Sequence, residues 1–588
     1  MRLALAILCC SALGAAAAVP DIIDSSRRIT WQGNVGVVGG IPDSSAMLVY
    51  TTFTATATAA MINNALANCP SNKVVACAAG SYTMTDDVVI GKDGVVLRGA
   101  GMNSTFFNFN GSSNERLKFT KPFSAAALSV DADLSVNGQK GSNVLTLASV
   151  PSWVTVGELI GIDELNIFGV VSNGADGTIS FRTAEGNGNR GMGQLNRVTA
   201  KTATTITCEL PMFETWSNSL TAQVWEPYYD LEAGDKSLKR AGVEGIMFYF
   251  QGTGNDSHGI SLEIADNCWV KNCGITNTYG GSAIMPFFCY RCEFRGNLVH
   301  TSHLYTGGQG YGITPWDVTT ACLIEDNILY DLHNPLSYNL GAAGNVIAYN
   351  FVGLGHAPLG NEHPGMGCHA VHPHMNLFEG NFTVDKLLGD WTHGSSSDQT
   401  AFRNRIVGTN GPGDGGSCVS IAYYNKYWNL VGNIVGSGQQ GKRVSSTVST
   451  AEGVGGSVYK MGGVDNYAND YSPGDVYSYT TGMFVLDHMN WDYLTTTNGG
   501  IVWEPAVTNY TLVNSYYLPS KPALFGLLSW PPYDPYVPFT GTNVMAYTNI
   551  PAGYRYAFGT NPPTVVPTSL TVTRVASFGR ALVGGVNP

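Results

Sequence analysis

The chain has 588 residues, of which 71 are glycine and only 13% are charged, and its formal net charge is −12. This composition is typical of large β proteins, and the length implies either several domains or one solenoid that grows along its axis. An acidic chain without a basic stripe argues against nucleic acid as a partner. It leaves room for an acidic polysaccharide, which needs only a local cationic groove.

Residues 1–18 begin with one arginine, continue with an apolar run and end in small residues, as secretory signal peptides do. Because no other apolar stretch is long enough to span a bilayer, we predict a secreted, extracytoplasmic protein without a membrane span. Disulfides persist in that compartment, although small apolar residues stacked in the core would explain several of the cysteines equally well. The candidate disulfide pairs are Cys69/Cys77, Cys268/Cys273 and Cys289/Cys292.

The first half of the mature chain falls into two blocks. Residues 19–124 contain an amphipathic helical pattern at 59–66 and glycine-punctuated apolar segments, which predict an N-terminal cap and the first coils of a solenoid. Residues 125–235 contain short alternating segments, such as 143–147 and 158–162, separated by turn residues. We predict that this second block is a small antiparallel β insertion.

Seven short apolar segments between 269 and 434 share an asparagine near their end, and these asparagines lie 23 to 31 residues apart. Equivalent side chains of a parallel β-helix stack about 4.8 Å apart, so an asparagine at each bend pairs its amide with the next one. The predicted ladder is Asn272, Asn297, Asn327, Asn350, Asn381, Asn404 and Asn433. The residue three positions before each should point inward: Trp269, Phe294, Ile324, Ile347, Phe378, Ala401 and Leu430.

These patterns divide the rest of the chain. Residues 236–440 should form the main parallel β-helix, 441–560 its C-terminal coils and cap, and 561–588 a linker or tail. The helix at 59–66, followed by V.ACAAGSYT (74–83) and VVIGKDGVVLRGAG (88–101), resembles the N-terminal cap and first turns of pectate-lyase-like β-helix proteins. The asparagine repeat resembles their later coils. The resemblance implies an all-β, right-handed parallel β-helix and an extracellular polysaccharide as partner, but it does not fix the reaction.

Ten of the 11 histidines lie between His258 and His393. The densest patch comprises His356, His363, His369, His372, His374 and His393. One interpretation is a transition-metal site, in which His369, His372, His374 and His393 bind zinc or copper and Asp390 orients one imidazole.

A second interpretation is β-elimination on a uronic-acid polymer, which needs a base, a cation and an acid. His372 or His393 would be the base, Asp390 would orient a histidine, and Arg403 or Arg405 would be the cation. We predict that the catalytic set, which is His369, His372, Asp390, His393 and Arg403, converges on one exposed groove. The pectate-lyase resemblance also implies an Asp-rich calcium site, which this sequence does not match residue by residue, so a divalent cation such as calcium stays an open question.

A third interpretation is glycoside hydrolysis by paired carboxylates, although the adjacent Asp-Asp signature of β-helical hydrolases is absent. Its candidates are Glu325, Asp326, Glu379, Asp390 and Asp398. Sugar binding is predicted for Trp316, Tyr311, Tyr305 and Trp391, whose rings suit the apolar faces of pyranoses, together with Arg405. A non-catalytic carbohydrate-binding or adhesive protein would show the same coils and aromatic loops, so that alternative stays open.

Overall fold

The computed structural model describes residues 21–564, apart from 112–115, 122–130, 167–169, 172–181, 183–188, 228–236, 252–256, 306–307, 357–363, 409–415, 423, 438–439, 441, 446–456, 462–484, 495–499 and 538–545. The predicted signal peptide, most of the predicted tail and His363 lie outside the described residues. Among the helices that are described, none is long and apolar enough to cross a membrane.

Three long sheets surround one apolar core. Sheet 1 contains Leu48–Phe53, Lys73–Cys77, Val95–Arg98, Gly242–Glu244, Trp269–Lys271, Glu293–Arg295, Leu323–Glu325, Val346–Ala348, Leu377–Glu379, Thr400–Phe402, Trp428–Val431 and Val485–His488. Sheet 2 contains Gly80–Met84, Thr105–Phe109, Met247–Phe250, Gly274–Thr278, Leu298–Ser302, Ile328–Tyr330, Phe351–Val352, Phe382–Thr383, Arg405–Ile406, Ile434–Val435, Asn490–Asp492 and Ile501–Val502. Sheet 3 contains Val88–Ile90, Leu117–Phe119, Ile260–Glu263, Ser282–Phe287, Tyr311–Ile313, Asn334–Tyr338, Pro364–Cys368, Lys386–Gly389, Val419–Ile421, Ser457–Met461 and Lys442–Ser445.

The coils between Lys73 and Val435 contribute one strand to each sheet, and each strand pairs in parallel with its equivalent in the next coil. Phe294 pairs with Ile324 in sheet 1, and Ile313 pairs with Leu336 in sheet 3. The exception is the last strand of sheet 2, which is antiparallel to its neighbour. The chain is therefore a right-handed parallel β-helix, which confirms the predicted fold class.

The corner between sheets 1 and 2 carries the asparagine ladder. Asn297 donates from both its backbone N–H and its side-chain amide to Oδ1 of Asn327, each at 2.9 Å. The same pair of bonds repeats up the stack. The ladder comprises Asn297, Asn327, Asn350, Asn381, Asn404, Asn433 and Asn490. All seven are buried, so the ladder satisfies polar groups that water cannot reach.

The first predicted position is displaced by one residue. Cys273, not Asn272, occupies the ladder position, and its N–H donates to Oδ1 of Asn297 at 3.0 Å. Asn272 instead takes the left-handed conformation just before it, with φ +52°. A slip of one residue reverses the face of a strand, so Trp269 points outward and Val270 fills the core. The other six predicted inward residues lie in the core.

The ten described cysteines are free thiols and are buried, so the three predicted disulfide pairs are wrong. At the corner between sheets 3 and 1, Cys268, Cys292 and Cys322 stand in successive coils. The N–H of Cys292 contacts the sulfur of Cys322 at 3.3 Å, and Cys322 N–H donates to Oδ1 of Asn345 at 2.8 Å. These cysteines are therefore small core residues that continue a short polar ladder.

The predicted insertion is a six-stranded antiparallel sheet, and it leaves the solenoid at the corner between sheets 3 and 1. Its strands are Asp131–Asp133, Gln223–Trp225, Leu159–Asp163, Gly193–Lys201, Thr205–Cys208 and Val144–Thr146. It packs along that corner over several coils. Leu195 N–H donates to Thr320 Oγ1 at 2.9 Å, and Arg291 forms an ion pair with Glu209 at 3.0 Å.

The remaining segments cover the helix. The helix Ala59–Asn68 packs at the N-terminal end, against the strand Val88–Ile90 of sheet 3. A two-stranded ribbon of Leu238–Lys239 and Ala265–Asp266 continues the corner between sheets 3 and 1. Segments before and after the solenoid, including the helix Pro551–Phe558, pack against the outer faces of sheets 1 and 2 and form a second apolar cluster there. These two outer faces are thereby buried over much of the later coils.

Candidate functional site

The pairing of sheet 3 brings His369 and Asp390 together. His369 follows the strand Pro364–Cys368, and Asp390 follows Lys386–Gly389, which pairs with it in the next coil. The imidazole Nδ1 of His369 hydrogen-bonds to Oδ2 of Asp390. Oδ1 of the same carboxylate accepts the backbone N–H of Thr392 at 3.2 Å. The carboxylate is thus held in place, and it fixes the orientation of the imidazole.

Two further rings approach His369. The ring of His393 lies edge-on with a centroid distance of 4.9 Å, and the ring of Tyr311 lies edge-on at 6.1 Å. Tyr311 opens a strand of sheet 3 two coils earlier, and its phenol hydroxyl interacts with Asn334. Burial raises the pKa of Tyr311, so its phenol keeps its proton at neutral pH. We call Tyr311, His369, Asp390 and His393 the His369 site.

This arrangement is suited to moving a proton. When Nδ1–H of His369 donates to Asp390, Nε2 remains as the acceptor, and the carboxylate stabilises the imidazolium that forms. The side chains of His369 and Asp390 are 15% and 8% exposed, so the pair is shielded without being sealed. A protonated phenol beside an imidazole nitrogen brings a candidate acid and a candidate base together in one place.

The structure separates His372 from this site, which corrects the sequence prediction. His372 is fully buried at the corner under the insertion. Its backbone N–H donates to Gly191 O at 3.1 Å, and its Nδ1 lies 3.1 Å from Ser395 Oγ. Burial lowers the pKa of His372 to about 3. A neutral, enclosed imidazole of this kind supports the packing of the insertion.

His374 has the same surroundings. Its ring meets Trp216 of the insertion edge-on at 6.1 Å, and burial lowers its pKa to about 4. Two of the imidazoles proposed as metal ligands are therefore enclosed away from His369. Across the described residues, no group of three or more histidine, cysteine, aspartate or glutamate side chains is arranged to hold a metal ion. The zinc or copper site therefore stays a prediction, and His372 and His374 do not lie beside His369.

Calcium does not fit the His369 site either. Calcium takes six to eight oxygen ligands. Asp390 supplies the only carboxylate of this set of four residues, and its two oxygens already accept hydrogen bonds from His369 and Thr392. The other members are two imidazoles and a phenol. The groups of the His369 site are suited to proton transfer, which needs no divalent cation.

Arg403 and Arg405 do not reach the His369 site, which is a second correction. Arg403 lies at the asparagine corner with φ +51°, and it donates to Val513 O and Tyr533 O at 3.0 Å each. Arg405 is fully buried in sheet 2, where its guanidinium donates to Ile406 O at 2.7 Å. Burial lowers the pKa of Arg405 to about 10. Both arginines lie in interior contacts, and Arg403 attaches the C-terminal segment to the coils.

The predicted aromatic residues divide in the same way. Tyr311 belongs to the His369 site. Trp391 follows Asp390 directly and packs on Tyr424 at a ring distance of 5.2 Å. Trp316 follows the strand Tyr311–Ile313, and its backbone forms an isolated parallel β-bridge with Phe287 of the preceding coil. Its indole N–H is buried without a hydrogen-bond partner. Trp391 therefore borders the site, and Trp316 lies two coils before His369 along the same sheet.

The carboxylates proposed for hydrolysis, other than Asp390, are used in packing. Glu325 accepts a hydrogen bond from the Tyr517 hydroxyl at 2.6 Å, and it pairs with Arg295 at 2.8 Å. Glu379 accepts from Tyr516 N–H at 2.9 Å, and burial raises its pKa to about 7. Glu325 and Glu379 share one face, as predicted, but the C-terminal segment covers it.

Asp326 and Asp398 are also enclosed. Asp326 forms an ion pair with Arg555 of the C-terminal helix, and burial raises its pKa to about 6. Burial raises the pKa of Asp398 to about 6 as well, and Lys140 of the insertion lies close enough to oppose that shift. No pair among these four carboxylates flanks an open groove in the described chain.

Sequence reasoning missed a second histidine–aspartate pair. His356 Nδ1 lies 3.1 Å from Asp331 Oδ1 at the corner between sheets 2 and 3. The ring of Tyr305 stacks on His356 with a centroid distance of 3.7 Å. His333, two residues after Asp331, lies 5.8 Å from the ring of Tyr311. The sequence had pointed to His356 through the histidine patch and to Tyr305 through the aromatic loops, but not to Asp331, which lies at a corner outside the asparagine register.

No family model and no curated protein matches the sequence. Among solved structures, the chain is similar to the tailspike protein gp49 of Pseudomonas phage LKA1, with 12% identity, 66% of this chain and 73% of that one covered, and a TM-score of 0.33. It is also similar to the gp54 tailspike of Acinetobacter baumannii bacteriophage AP22 in complex with capsular saccharide. The identity is 10%, the match covers 71% of this chain and 80% of that one, and the TM-score is 0.33. For a polygalacturonase of Erwinia carotovora, the identity is 11%, the match covers 76% of this chain and 97% of that one, and the TM-score is 0.27. Scores of this size establish no activity for this chain.

Proposed function

We propose that this protein is an extracellular polysaccharide lyase that cleaves a uronic-acid-containing polymer by β-elimination at the His369 site. The observation that carries the proposal is the hydrogen bond from His369 to Asp390, with the rings of Tyr311 and His393 no more than 6.1 Å from His369. The signal peptide predicted at residues 1–18 agrees with a substrate outside the cell.

The base is His369. Its Nε2 takes the proton at C5 of the uronic acid, and Asp390 holds the tautomer and stabilises the resulting imidazolium. His393 donates an N–H to the sugar carboxylate, which stabilises the negative charge that develops there. This assigns to His393 the role that Arg403 and Arg405 are too distant to fill.

The acid is Tyr311. Its phenol gives a proton to the glycosidic oxygen at C4 as the C4–O bond breaks, and the electrons of the C5–H bond form the C4=C5 double bond. One proton leaves the sugar and one is returned to the leaving group, so no water and no redox partner enters the reaction. The raised pKa of Tyr311 keeps the phenol protonated until that step.

Hydrolysis has less support from the geometry. A hydrolase needs two carboxyl groups about 5–9.5 Å apart across the scissile bond. Glu325, Asp326, Glu379 and Asp398 are buried in contacts with other segments, which leaves Asp390 without a carboxylate partner among the proposed set. A histidine–phenol pair matches elimination.

The test is an assay of the secreted protein on a panel of uronic-acid polysaccharides, with neutral polysaccharides beside them. The expected product absorbs in the ultraviolet because its double bond is conjugated with the carboxylate. Reducing ends that appear without this absorbance would indicate a hydrolase. Binding without either signal would indicate a carbohydrate-binding protein. Either outcome would contradict the proposal.

A further inference from the structure

A second cluster lies at the corner between sheets 2 and 3, where the strand Asn334–Tyr338 begins. Asp331 is its centre: Oδ1 lies 3.1 Å from His356 Nδ1, and Oδ2 accepts the Thr301 hydroxyl at 3.0 Å. The Tyr305 hydroxyl accepts the N–H of Ser302 at 2.9 Å, which fixes the phenol ring. We call Asp331, His356 and Tyr305 the Asp331 cluster.

The cluster is presented to solvent. The side chain of His356 is 50% exposed and that of Asp331 is 36% exposed, which contrasts with 15% and 8% for His369 and Asp390. Tyr305 and His356 stack face to face with their planes 14° apart, so Tyr305 backs one face of the imidazole and the half-exposed His356 offers its other face as a flat aromatic surface. Flat rings beside an outward carboxylate are the chemistry that recognises a sugar: the rings meet its C–H face and the carboxylate accepts its hydroxyls.

The cluster is connected to the His369 site. The N–H of His356 donates to Leu332 O at 2.9 Å, and His333 follows next in the chain. The His333 ring lies 5.8 Å from Tyr311, and Tyr311 lies 6.1 Å from His369. His369 is equivalent to position 339 of the preceding coil, since Tyr338 pairs with Cys368. Eight residues from Asp331 to that position span at most about 26 Å at 3.3 Å per residue, so one oligosaccharide of several sugar rings can reach from the cluster to the His369 site.

We propose that the Asp331 cluster is a distal subsite that binds a neutral sugar of the same polymer whose uronic acid is cleaved at the His369 site. This inference rests on the proposed function for the location of cleavage. The preference for a neutral sugar follows from charge, because the Asp331 carboxylate would repel a uronate placed beside it. The substrate is therefore a heteropolysaccharide that combines uronic acids with neutral sugars, and it lies along the strand direction of sheet 3.

Binding without turnover tests the subsite separately from the lyase reaction. The His369→Ala protein is titrated calorimetrically with neutral hexasaccharides of glucose, mannose and xylose, and with hexagalacturonate. His356→Ala and Tyr305→Ala are then introduced separately into the His369→Ala protein. Each should weaken the binding of a neutral hexasaccharide about 2- to 10-fold through loss of the aromatic surface. The matched control is His303→Ala, since His303 is exposed nearby but contacts Asn277 at 3.0 Å instead of Asp331. It should leave the affinity unchanged.

The outcomes are distinct. A neutral hexasaccharide that binds, and that loses affinity only in the His356 and Tyr305 variants, supports the subsite even when no lyase activity exists. The subsite is overturned when no neutral hexasaccharide binds, when the His356 and Tyr305 variants weaken hexagalacturonate binding and leave the neutral sugars unaffected, or when the His303 variant weakens binding as much. Lyase activity together with any of these results would leave the proposed function standing without the subsite.

Discussion

His369 and His372 are three residues apart in the chain, yet one borders an open site and the other is sealed. His369 ends a strand of sheet 3, and its partner Asp390 comes from the next coil. His372 lies at the following corner, where Gly191 and the rest of the insertion cover it. The difference shows that the surroundings of a β-helix residue depend on what packs over its corner, even for neighbours of the same type.

The covered region is maintained by apolar contacts. Val371 belongs to the apolar core of the insertion, and the ring of His374 packs on Trp216. Burial disfavours the charged forms of His372 and His374, which is why their pKa values fall. The His369 site is maintained instead by the hydrogen bonds that Asp390 accepts from His369 and from the Thr392 N–H.

The largest expected effect separates the two histidines by activity. His369→Ala should lower kcat about 10²- to 10⁴-fold, the range for loss of a general base, with little change in the urea midpoint. His372→Ala should lower the urea midpoint and leave kcat of the folded protein close to that of the wild type. Activity assays and urea denaturation of both variants measure this. The comparison fails when the two variants lose activity equally.

The next effect concerns acid stability in the covered region. The unfolded chain binds a proton at His374 near pH 6.5, whereas the folded protein binds one only near pH 4. The folded state is therefore destabilised as the pH falls below 6.5, by about 1.4 kcal/mol per pH unit, and by 2–3 kcal/mol at pH 4.5.

Replacing His374 with phenylalanine should remove the His374 contribution and leave that of His372, because the new ring still packs on Trp216 and does not titrate. Urea midpoints between pH 7 and pH 4.5 should fall less steeply for His374→Phe than for the wild type. The exposed His303→Phe serves as the control and should keep the wild-type slope. Parallel curves for the wild type and His374→Phe would show that His374 is not sealed.

The smallest effect tests whether Arg403 belongs to packing. Arg403→Met removes two hydrogen bonds to the C-terminal segment and should destabilise the protein by about 1–3 kcal/mol, since two carbonyls lose a charged donor. Turnover should remain at the wild-type level. Thermal denaturation and limited proteolysis of residues 505–537 report the change. A large loss of turnover in a stable Arg403→Met protein would return this arginine to the active site.

The solenoid could be predicted from the sequence because the stacking of coils requires an asparagine at the same corner of each coil. The sequence was insufficient at Asn272, where Cys273 takes the ladder position and the adjacent asparagine only occupies the left-handed turn. Residue type favours Asn272 over Cys273, and a difference of one residue is smaller than the variation in spacing along the repeat, so the sequence does not reveal the shift. One residue of uncertainty then reversed the assignment of Trp269.

The candidate site was partly predictable for a similar reason. His369 and Asp390 meet because each ends a strand of sheet 3 in successive coils, which sequence spacing can indicate. Arg403 lies only ten residues after His393, but a corner and a strand of sheet 1 separate them. Its actual partners, Val513 and Tyr533, are more than a hundred residues away in the chain, and no local pattern connects them.

The insertion has a consequence for how such proteins diversify. The coils on either side of it are already joined, since Phe119 pairs with Leu262 and Arg98 pairs with Glu244 across more than a hundred intervening residues. The excursion therefore starts and ends at one corner of an uninterrupted stack. Genetic exchange of this block could replace the cover over His372 while every rung below and above it kept its place.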